Sequence, residues 1–152
     1  MSKIHVNTLM KHCEDTIKCD WKYVYGAKGK ILTRGEIKEL QDQYGKKYVY
    51  DTDLDKAGKI CSDCSGLISS LTKIYRTANQ YKETAEEVFK INDRKDYMRG
   101  WGVWKNGHIG IYDGNGGYYA MDSSERNATH RSLSENSFTH IIKLCDVDYQ
   151  KK

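Results

Sequence analysis

The sequence predicts one α+β domain over residues 1–152, in which N-terminal helices pack on a C-terminal antiparallel β-sheet. Apolar residues recur at helical intervals in the N-terminal part of the chain. Beyond Gly100 short aromatic and β-branched runs alternate with glycine-rich turns. A chain of 152 residues has room for only one ordinary hydrophobic core, so we expect no second domain.

Four segments of the N-terminal part have helical spacing or capping signals. They are a first helix capped by Asn7 with its apolar face at Leu9, Met10, Cys13 and Ile17, a capping box at Thr33–Glu36, a stripe from Leu67 to Tyr75 preceded by Ser62 and Asp63, and a helix or helical loop at residues 84–89. The four predicted strands are Trp101–Trp104, His108–Tyr112, Tyr118–Met121 and Phe138–Cys145. Because Asn-Gly and glycine-rich turns separate these strands, we predict an antiparallel meander.

The charge pattern excludes some classes of protein. The net charge of +4 comes from 25 basic and 21 acidic residues whose signs alternate, so we expect no nucleic-acid partner.

The longest stretch without a charged residue, from Cys64 to Thr72, is nine residues, whereas a membrane span needs about 18. The N-terminus lacks the apolar core of a signal peptide, so we expect synthesis in the cytoplasm with the five cysteines reduced.

Cys64 and His108 are the residues best placed for chemistry. Cys64 lies at the predicted start of the third helix, and His108 at the start of a predicted strand with Gly107 and Gly110 beside it. The positive end of a helix and an adjacent imidazolium both lower the pKa of a thiol. The pattern therefore predicts a thiolate–imidazolium pair that acts as nucleophile and general base.

Three ordered motifs carry a resemblance to a known family. DCSGLISSL (63–71) resembles the nucleophile motif of the NlpC-type cell-wall cysteine peptidases, GHIGIYDGNG (107–116) resembles their base motif, and WKYVYGAKG (21–29) is similar to their segment before the nucleophile helix. The resemblance implies a papain-like fold with Cys64 as nucleophile, His108 as general base and Tyr23 as a hydrogen-bond donor bordering the site. It also implies that Gly66 keeps the first helical turn clear for the substrate.

The activity implied by this resemblance is hydrolysis of an amide bond in a peptidoglycan stem peptide, with no metal or organic cofactor. A γ-D-glutamyl endopeptidase is the first expectation, and an N-acetylmuramoyl-L-alanine amidase is the alternative. The expected partner is the stem peptide, as substrate. We expect the protein to act as a monomer. Without a signal peptide, the protein would reach the cell wall as a phage lysin or as part of a larger secreted protein.

The residue that would orient His108 is identified less directly. In the family a polar residue on the next strand orients the histidine, and the corresponding position here is Ala120, which cannot do so. Strand alternation puts Asp122 on the face of Ala120, so a shift by one residue pair would let Asp122 accept the His108 ring N–H. We predict Asp122, with His130 as the alternative; a site without a third side chain stays open.

Other features of the sequence favour alternative functions. Cys61 and Cys64 form a C-x-x-C, which is typical of half a zinc site or of a redox dithiol. A catalytically silent binding module would tolerate the alanine at position 120. Acyl transfer by the same Cys–His pair to an acceptor other than water also stays open.

Overall fold

The structure is a computed structural model that describes residues 3–151. Its α-helices are α1 (Val6–Lys18), α2 (Arg34–Tyr44), α3 (Gly66–Thr72) and α4 (Ala78–Glu83). Its strands are β1 (Ile4–His5), β2 (Lys22–Tyr23), β3 (Lys28–Ile31), β4 (Ile60–Ser62), β5 (Glu87–Lys90), β6 (Gly102–Lys105), β7 (His108–Tyr112), β8 (Gly117–Met121), β9 (Ala128–Ser132), β10 (His140–Lys143) and β11 (Val147–Asp148). No helix in this part of the chain is long and apolar enough to cross a bilayer.

Six strands form the main sheet, in the order β5-β10-β6-β7-β8-β9, and all of its neighbours are antiparallel. The strands β6, β7 and β8 form the first three strands of the predicted meander. The fourth predicted strand, β10, instead pairs with β6 and β5, and β9, which was not predicted, lies beside β8. The hairpin between β6 and β7 turns at Asn106-Gly107, where Gly107 has a φ of 77° that suits glycine. The fold is therefore α+β, as the sequence predicts.

The helices α1 and α3 cover one face of this sheet. Leu9 and Cys13 of α1 and Leu67 of α3 are buried in the same cluster as Ile109 and Ile111 of β7. This face holds the larger core, and burial of each such aliphatic side chain contributes roughly 1.5–3 kcal/mol. The register of β7 is thereby fixed, because a slip by one residue would turn these isoleucines away from the helices.

The opposite face of the sheet has its own core under the loops. Its buried side chains include Val103, Tyr118, Ala120, Phe138 and Ile141. Alternation along β7 and β8 places the side chains of His108 and Asp122 on this second face, away from α3. The site is built where the start of β7 meets the segment before α3.

Several predicted elements differ from the structure. The third helix ends at Thr72, because Lys73 adopts a left-handed conformation, so Ile74 and Tyr75 lie outside it. The N-terminal cap of α1 is His5, whose ring accepts the Asn7 N–H at 3.1 Å. The prediction of a helix or helical loop at residues 84–89 is wrong, since α4 ends at Glu83 and the strand β5 begins at Glu87. The capping box at Thr33 and Glu36 is confirmed.

Short strands in the N-terminal half were not predicted. The strands β2, β4 and β3 form a three-stranded sheet in which β2 and β4 run parallel, with Tyr23 opposite Ser62. Strands of two to four residues are too short for an alternating pattern to appear in the sequence. This small sheet nevertheless places Tyr23 beside the residues that lead to Cys64.

Candidate active site

Cys64 lies in the turn between β4 and α3. Its thiol donates a hydrogen bond to the Gly107 carbonyl at an Sγ–O distance of 3.9 Å. The residue is 9% exposed and lines a cavity of about 430 Å³ together with Tyr23, Asp63 and Asn79. The sulfur therefore lies at the floor of an opening to solvent rather than sealed in the core.

The electrostatic environment of this thiol differs from the prediction. Burial, followed by the negative charge of Asp63, raises the pKa of Cys64 to about 11. The helix α3 begins only at Gly66 and is seven residues long, so its positive end contributes less than the sequence suggested. Burial thus favours the neutral thiol at neutral pH, consistent with its donating to a carbonyl.

Asp63 organises the turn that carries Cys64. Its Oδ1 accepts the Gly66 N–H at 2.9 Å and so caps α3. Its carboxylate also pairs with the Lys28 ammonium, with Nζ–O distances of 2.9 and 2.7 Å. Lys28 in addition donates to Ser65 Oγ at 3.1 Å. These bonds fix the backbone on both sides of Cys64.

Gly66 has a different role from the predicted one. A Cβ at this position would overlap the Ser62 hydroxyl and approach the Ala27 carbonyl oxygen to 3.0 Å. The missing side chain thus permits close packing of α3 against β3 and β4, rather than clearing space for a substrate.

His108 and Asp122 are hydrogen-bonded partners across neighbouring strands. The register of β7 and β8 pairs Ile111 with Tyr119 and Tyr112 with Tyr118, and continued toward the start of β7 it brings Asp122 opposite His108. Nε2 of His108 lies 2.8 Å from Oδ1 of Asp122. The imidazole also stacks on Phe138, with ring centroids 5.6 Å apart and planes 6° apart. The ring is thereby held at its edge and on one face.

Asp122 is almost fully buried and has several donors around it. Tyr118 donates to Oδ2 at 2.8 Å, Arg126 to Oδ2 at 3.2 Å and Asn136 to Oδ1 at 3.0 Å. Burial alone would raise the pKa of Asp122, but the hydrogen bonds from His108, Tyr118 and Arg126 and the charge of His108 outweigh it and lower the pKa to about 2. Asp122 is therefore an ionised acceptor at neutral pH.

The ionised carboxylate determines which nitrogen of His108 is basic. A carboxylate only accepts hydrogen bonds, so Nε2 must carry the proton that it donates to Asp122. In the neutral imidazole the unprotonated nitrogen is then Nδ1. This nitrogen is the one available to receive a proton from a nucleophile.

The structure places the Cys64 thiol beside the backbone of His108. The sulfur contacts the Gly107 carbonyl, and the Ile109 backbone N–H acts to lower the pKa of the thiol. Within residues 3–151 the sulfur and the imidazole are not hydrogen-bonded to each other, and His108 lines a second cavity of about 580 Å³. The predicted ion pair is thus not formed in this structure.

Tyr23 borders the Cys64 cavity from β2. Burial, and then the nearby Cys64 and Asp63, raise the pKa of the Tyr23 hydroxyl above its usual range. The phenol therefore stays protonated and can donate a hydrogen bond into the cavity. The aromatic wall continues outward with Tyr25 and Tyr44, whose rings meet edge to face at 5.0 Å.

His130 is not brought to this site. Its Nε2 lies 2.8 Å from Oδ2 of Asp113, and its ring stacks on Tyr119 with centroids 4.0 Å apart. Tyr119 belongs to the helix-covered face of the sheet, whereas His108 and Asp122 are on the other. Of the two predicted partners, only Asp122 contacts His108.

The two cysteines of the C-x-x-C point into different parts of the core. Cys61 is buried in the cluster under α2 and donates to the Lys59 carbonyl at 3.4 Å, whereas Cys64 belongs to the cluster under α1 and α3. The part of the chain that the structure describes contains no group of three or more His, Cys, Asp or Glu side chains positioned to share a metal ion.

Sequence reasoning missed the residues that surround Asp122. Tyr118 lies two pairs before Asp122 on the same face of β8, so strand alternation alone could have found it. Asn136, Phe138 and Arg126 come from loops, and no pattern in the sequence predicts that these loops return to His108. Lys28 was likewise not predicted, because its partner Asp63 comes much later in the chain.

Comparison of the chain with protein-family models gives no match, and comparison with curated proteins gives none either. The function has to be inferred from the motifs and from the geometry of the site.

Proposed function

We propose that this protein is a papain-like cysteine hydrolase that cleaves an amide bond in a peptidoglycan stem peptide. The observation that carries the proposal is the His108–Asp122 pair at the start of β7 together with Gly107, the residue before His108, which lines the Cys64 cavity and accepts the Cys64 thiol hydrogen bond. A cysteine, an imidazole and a carboxylate that orients it are the three groups of a cysteine-hydrolase triad. The three sequence motifs support cell-wall peptide as the substrate class.

The acylation step begins with the neutral thiol. When substrate displaces the Gly107 contact, the Cys64 S–H transfers its proton to Nδ1 of His108 while the sulfur attacks the scissile carbonyl carbon. The new C–S bond gives a tetrahedral oxyanion and an imidazolium, which Asp122 stabilises. The imidazolium then gives its proton to the leaving amine, the C–N bond breaks, and a thioester remains on Cys64.

Deacylation uses the same groups in reverse. Nδ1 of His108 takes a proton from water as the water oxygen attacks the thioester carbon. Collapse of the second tetrahedral intermediate breaks the C–S bond, returns the proton to sulfur and releases the carboxylic acid product. Asp122 stays ionised throughout and keeps Nε2 protonated.

Two donors are available for the oxyanion. Among residues 3–151 the Cys64 backbone N–H has no acceptor, and the Tyr23 hydroxyl borders the same cavity. Each preorganised donor of this kind contributes roughly 3–4 kcal/mol to the transition state. Cys64 would thus supply both the nucleophile and one oxyanion donor.

The γ-D-glutamyl bond is the first to test, and the bond between muramic acid and L-alanine is the alternative for the same chemistry. Both substrates lie in the cell wall, which the protein would reach by a phage-encoded release route or within a larger secreted protein. The site needs neither a metal nor an organic cofactor for these steps.

Digestion of purified cell walls tests the proposal, with mass spectrometry identifying the bond that is cut. Cys64→Ala should abolish release of fragments while its thermal melting stays cooperative. Cys61→Ala is the matched control, because Cys61 is a buried cysteine outside the cavity; activity per folded molecule should be unchanged. Equal loss in both variants together with stoichiometric zinc in the purified protein would favour the C-x-x-C function instead.

A further inference from the structure

Lys56 is a buried cation behind the candidate site. It is the last residue of the 3-10 helix Asp51–Lys56, and its side chain is 12% exposed. Its Nζ lies 2.7 Å from Asp53 Oδ1, 2.7 Å from the Tyr23 carbonyl oxygen and 2.8 Å from the Ser124 carbonyl oxygen. Ser124 Oγ also lies 3.1 Å from the ammonium. One side chain therefore joins three segments that are distant in sequence.

Two of these segments carry proposed catalytic groups. Tyr23 supplies the hydroxyl at the Cys64 cavity, and Ser124 comes two residues after Asp122. The same segments meet a second time at Asn127, whose Oδ1 accepts the Tyr23 N–H at 3.0 Å and whose carbonyl accepts the Asp122 N–H at 3.0 Å. The peptide groups on both sides of Tyr23 are thus tied to the turn that follows Asp122.

The groups around the Lys56 ammonium are a buried carboxylate and carbonyl oxygens, which a positive charge at this position stabilises. Asp53 is fully buried, accepts the Tyr50 N–H at 2.8 Å through Oδ2 and accepts the Ser124 hydroxyl through Oδ1. Removing water from an ammonium is costly, and an arrangement that saturates it with a carboxylate and carbonyls offsets that cost. Lys56 itself lines neither the Cys64 cavity nor the His108 cavity. Any effect on catalysis must pass through Tyr23 and Asp122.

We propose that Lys56 is a positioning residue that fixes the Tyr23 hydroxyl relative to the His108–Asp122 pair, by holding the Tyr23 and Ser124 carbonyls on one ammonium. The catalytic part of this inference rests on the proposed hydrolase function. Tyr23 and Asp122 act mainly on charge that develops in the transition state. Loss of their alignment therefore lowers kcat more than it changes KM.

The first experiment compares Lys56→Met with Lys59→Met, because Lys59 is an exposed lysine of the same segment. Lys56→Met should lower kcat on cell-wall fragments by about tenfold or more with KM within about twofold, since a small misplacement of catalytic groups has effects of this size. The kcat and KM of Lys59→Met should equal those of the wild type. An unchanged kcat per folded molecule in Lys56→Met would overturn the proposal.

A second measurement separates positioning from general destabilisation. If Lys56 acts through Tyr23 and Asp122, adding Lys56→Met to the Tyr23→Phe/Asp122→Asn variant should cost little further activity. A loss that multiplies with those of the other two substitutions would contradict the proposal.

A third measurement does not depend on hydrolysis. The Nε2 proton of His108, assigned by its absence in His108→Ala, should move upfield in the NMR spectrum of Lys56→Met as its bond to Asp122 loosens, and stay in place in Lys59→Met. If wild-type protein leaves cell walls intact while this signal moves, the proposed function fails and the positioning role stands. If the signal does not move, the positioning role fails whatever the activity.

A double variant tests the proposal if Lys56→Met alone does not fold. Lys56→Met alone leaves the Asp53 carboxylate buried without its cation, a destabilising change. The double variant Asp53→Asn/Lys56→Met removes both charges and keeps an oxygen for the Tyr50 N–H. The same loss of kcat and the same upfield movement are expected from it, and a wild-type value of either would overturn the inference.

Discussion

His108, the first residue of β7, and Asp122, the residue after β8, are hydrogen-bonded, with Nε2 of the imidazole 2.8 Å from Oδ1 of the carboxylate. A second pair of the same kind, His130 and Asp113, is also 2.8 Å apart but lies on the other face of the sheet. Gly107, which precedes His108, accepts a hydrogen bond from the Cys64 thiol. The comparison of these two pairs gives the most direct test of which carboxylate serves the site.

Asp122→Asn should lower kcat on the order of 100- to 10,000-fold, because an amide no longer stabilises the imidazolium or fixes the Nε2–H tautomer. Steady-state kinetics on cell-wall fragments measure this loss. Asp113→Asn is the matched control and should retain wild-type kcat, since its Oδ1 still accepts the Asn115 and Gly117 N–H groups. Near-normal activity of Asp122→Asn would remove Asp122 from the site.

The ionisation of Asp122 also predicts an acid-dependent change in stability. Its folded pKa of about 2 is below the usual value of 3.8, so its contribution is present above the usual value and is lost as the pH falls through about 2. The free energy of unfolding should therefore fall by about 2 kcal/mol more in the wild type than in Asp122→Asn between about pH 5 and pH 2. Urea titrations at several pH values measure the difference; parallel curves for the two proteins would contradict the prediction.

Alkylation of Cys64 should report a neutral resting thiol. With burial raising the pKa of Cys64 to about 11, the rate with iodoacetamide should rise about tenfold per pH unit through the neutral and mildly alkaline range, since the thiolate reacts. Mass spectrometry of the Cys64 peptide follows the reaction, and exposed Cys19 serves as the internal reference. A rate independent of pH from about 6 to 9 would instead indicate a preformed thiolate–imidazolium pair.

Tyr23→Phe should lower kcat by about 100-fold if the hydroxyl stabilises the oxyanion, because one such donor has an effect of this size. The phenyl ring keeps the packing, so thermal stability should change little. Tyr48→Phe is the control, as Tyr48 is an exposed tyrosine outside the cavity lining. Equal kcat values for the two variants would assign Tyr23 to packing alone.

The sequence by itself determined the α+β class and the three strands β6 to β8, because the apolar pattern of His108–Tyr112 and the turn at Asn106-Gly107 are local signals. It did not determine the place of β10, which pairs with β6 rather than β8, and it did not predict β9. Strand alternation was enough to nominate Asp122, since alternation depends only on positions within one strand. The end of α3 was not determined. The apolar pattern continues through Ile74 and Tyr75, whereas the helix ends where the Lys73 backbone adopts a left-handed conformation.

Only the tertiary structure decided the rest of the site. The ionisation of Cys64 depends on how much water the neighbouring segments exclude, and burial outweighs the short helix that the motif suggested. The choice between Asp122 and His130 depended on which face each side chain occupies, which the register of β8 and β9 fixes. Lys56 comes from a 3-10 helix and Asn136 and Phe138 from loops, and their contacts are made across long stretches of chain. Such contacts leave no periodic pattern, because only the folded backbone brings their partners together.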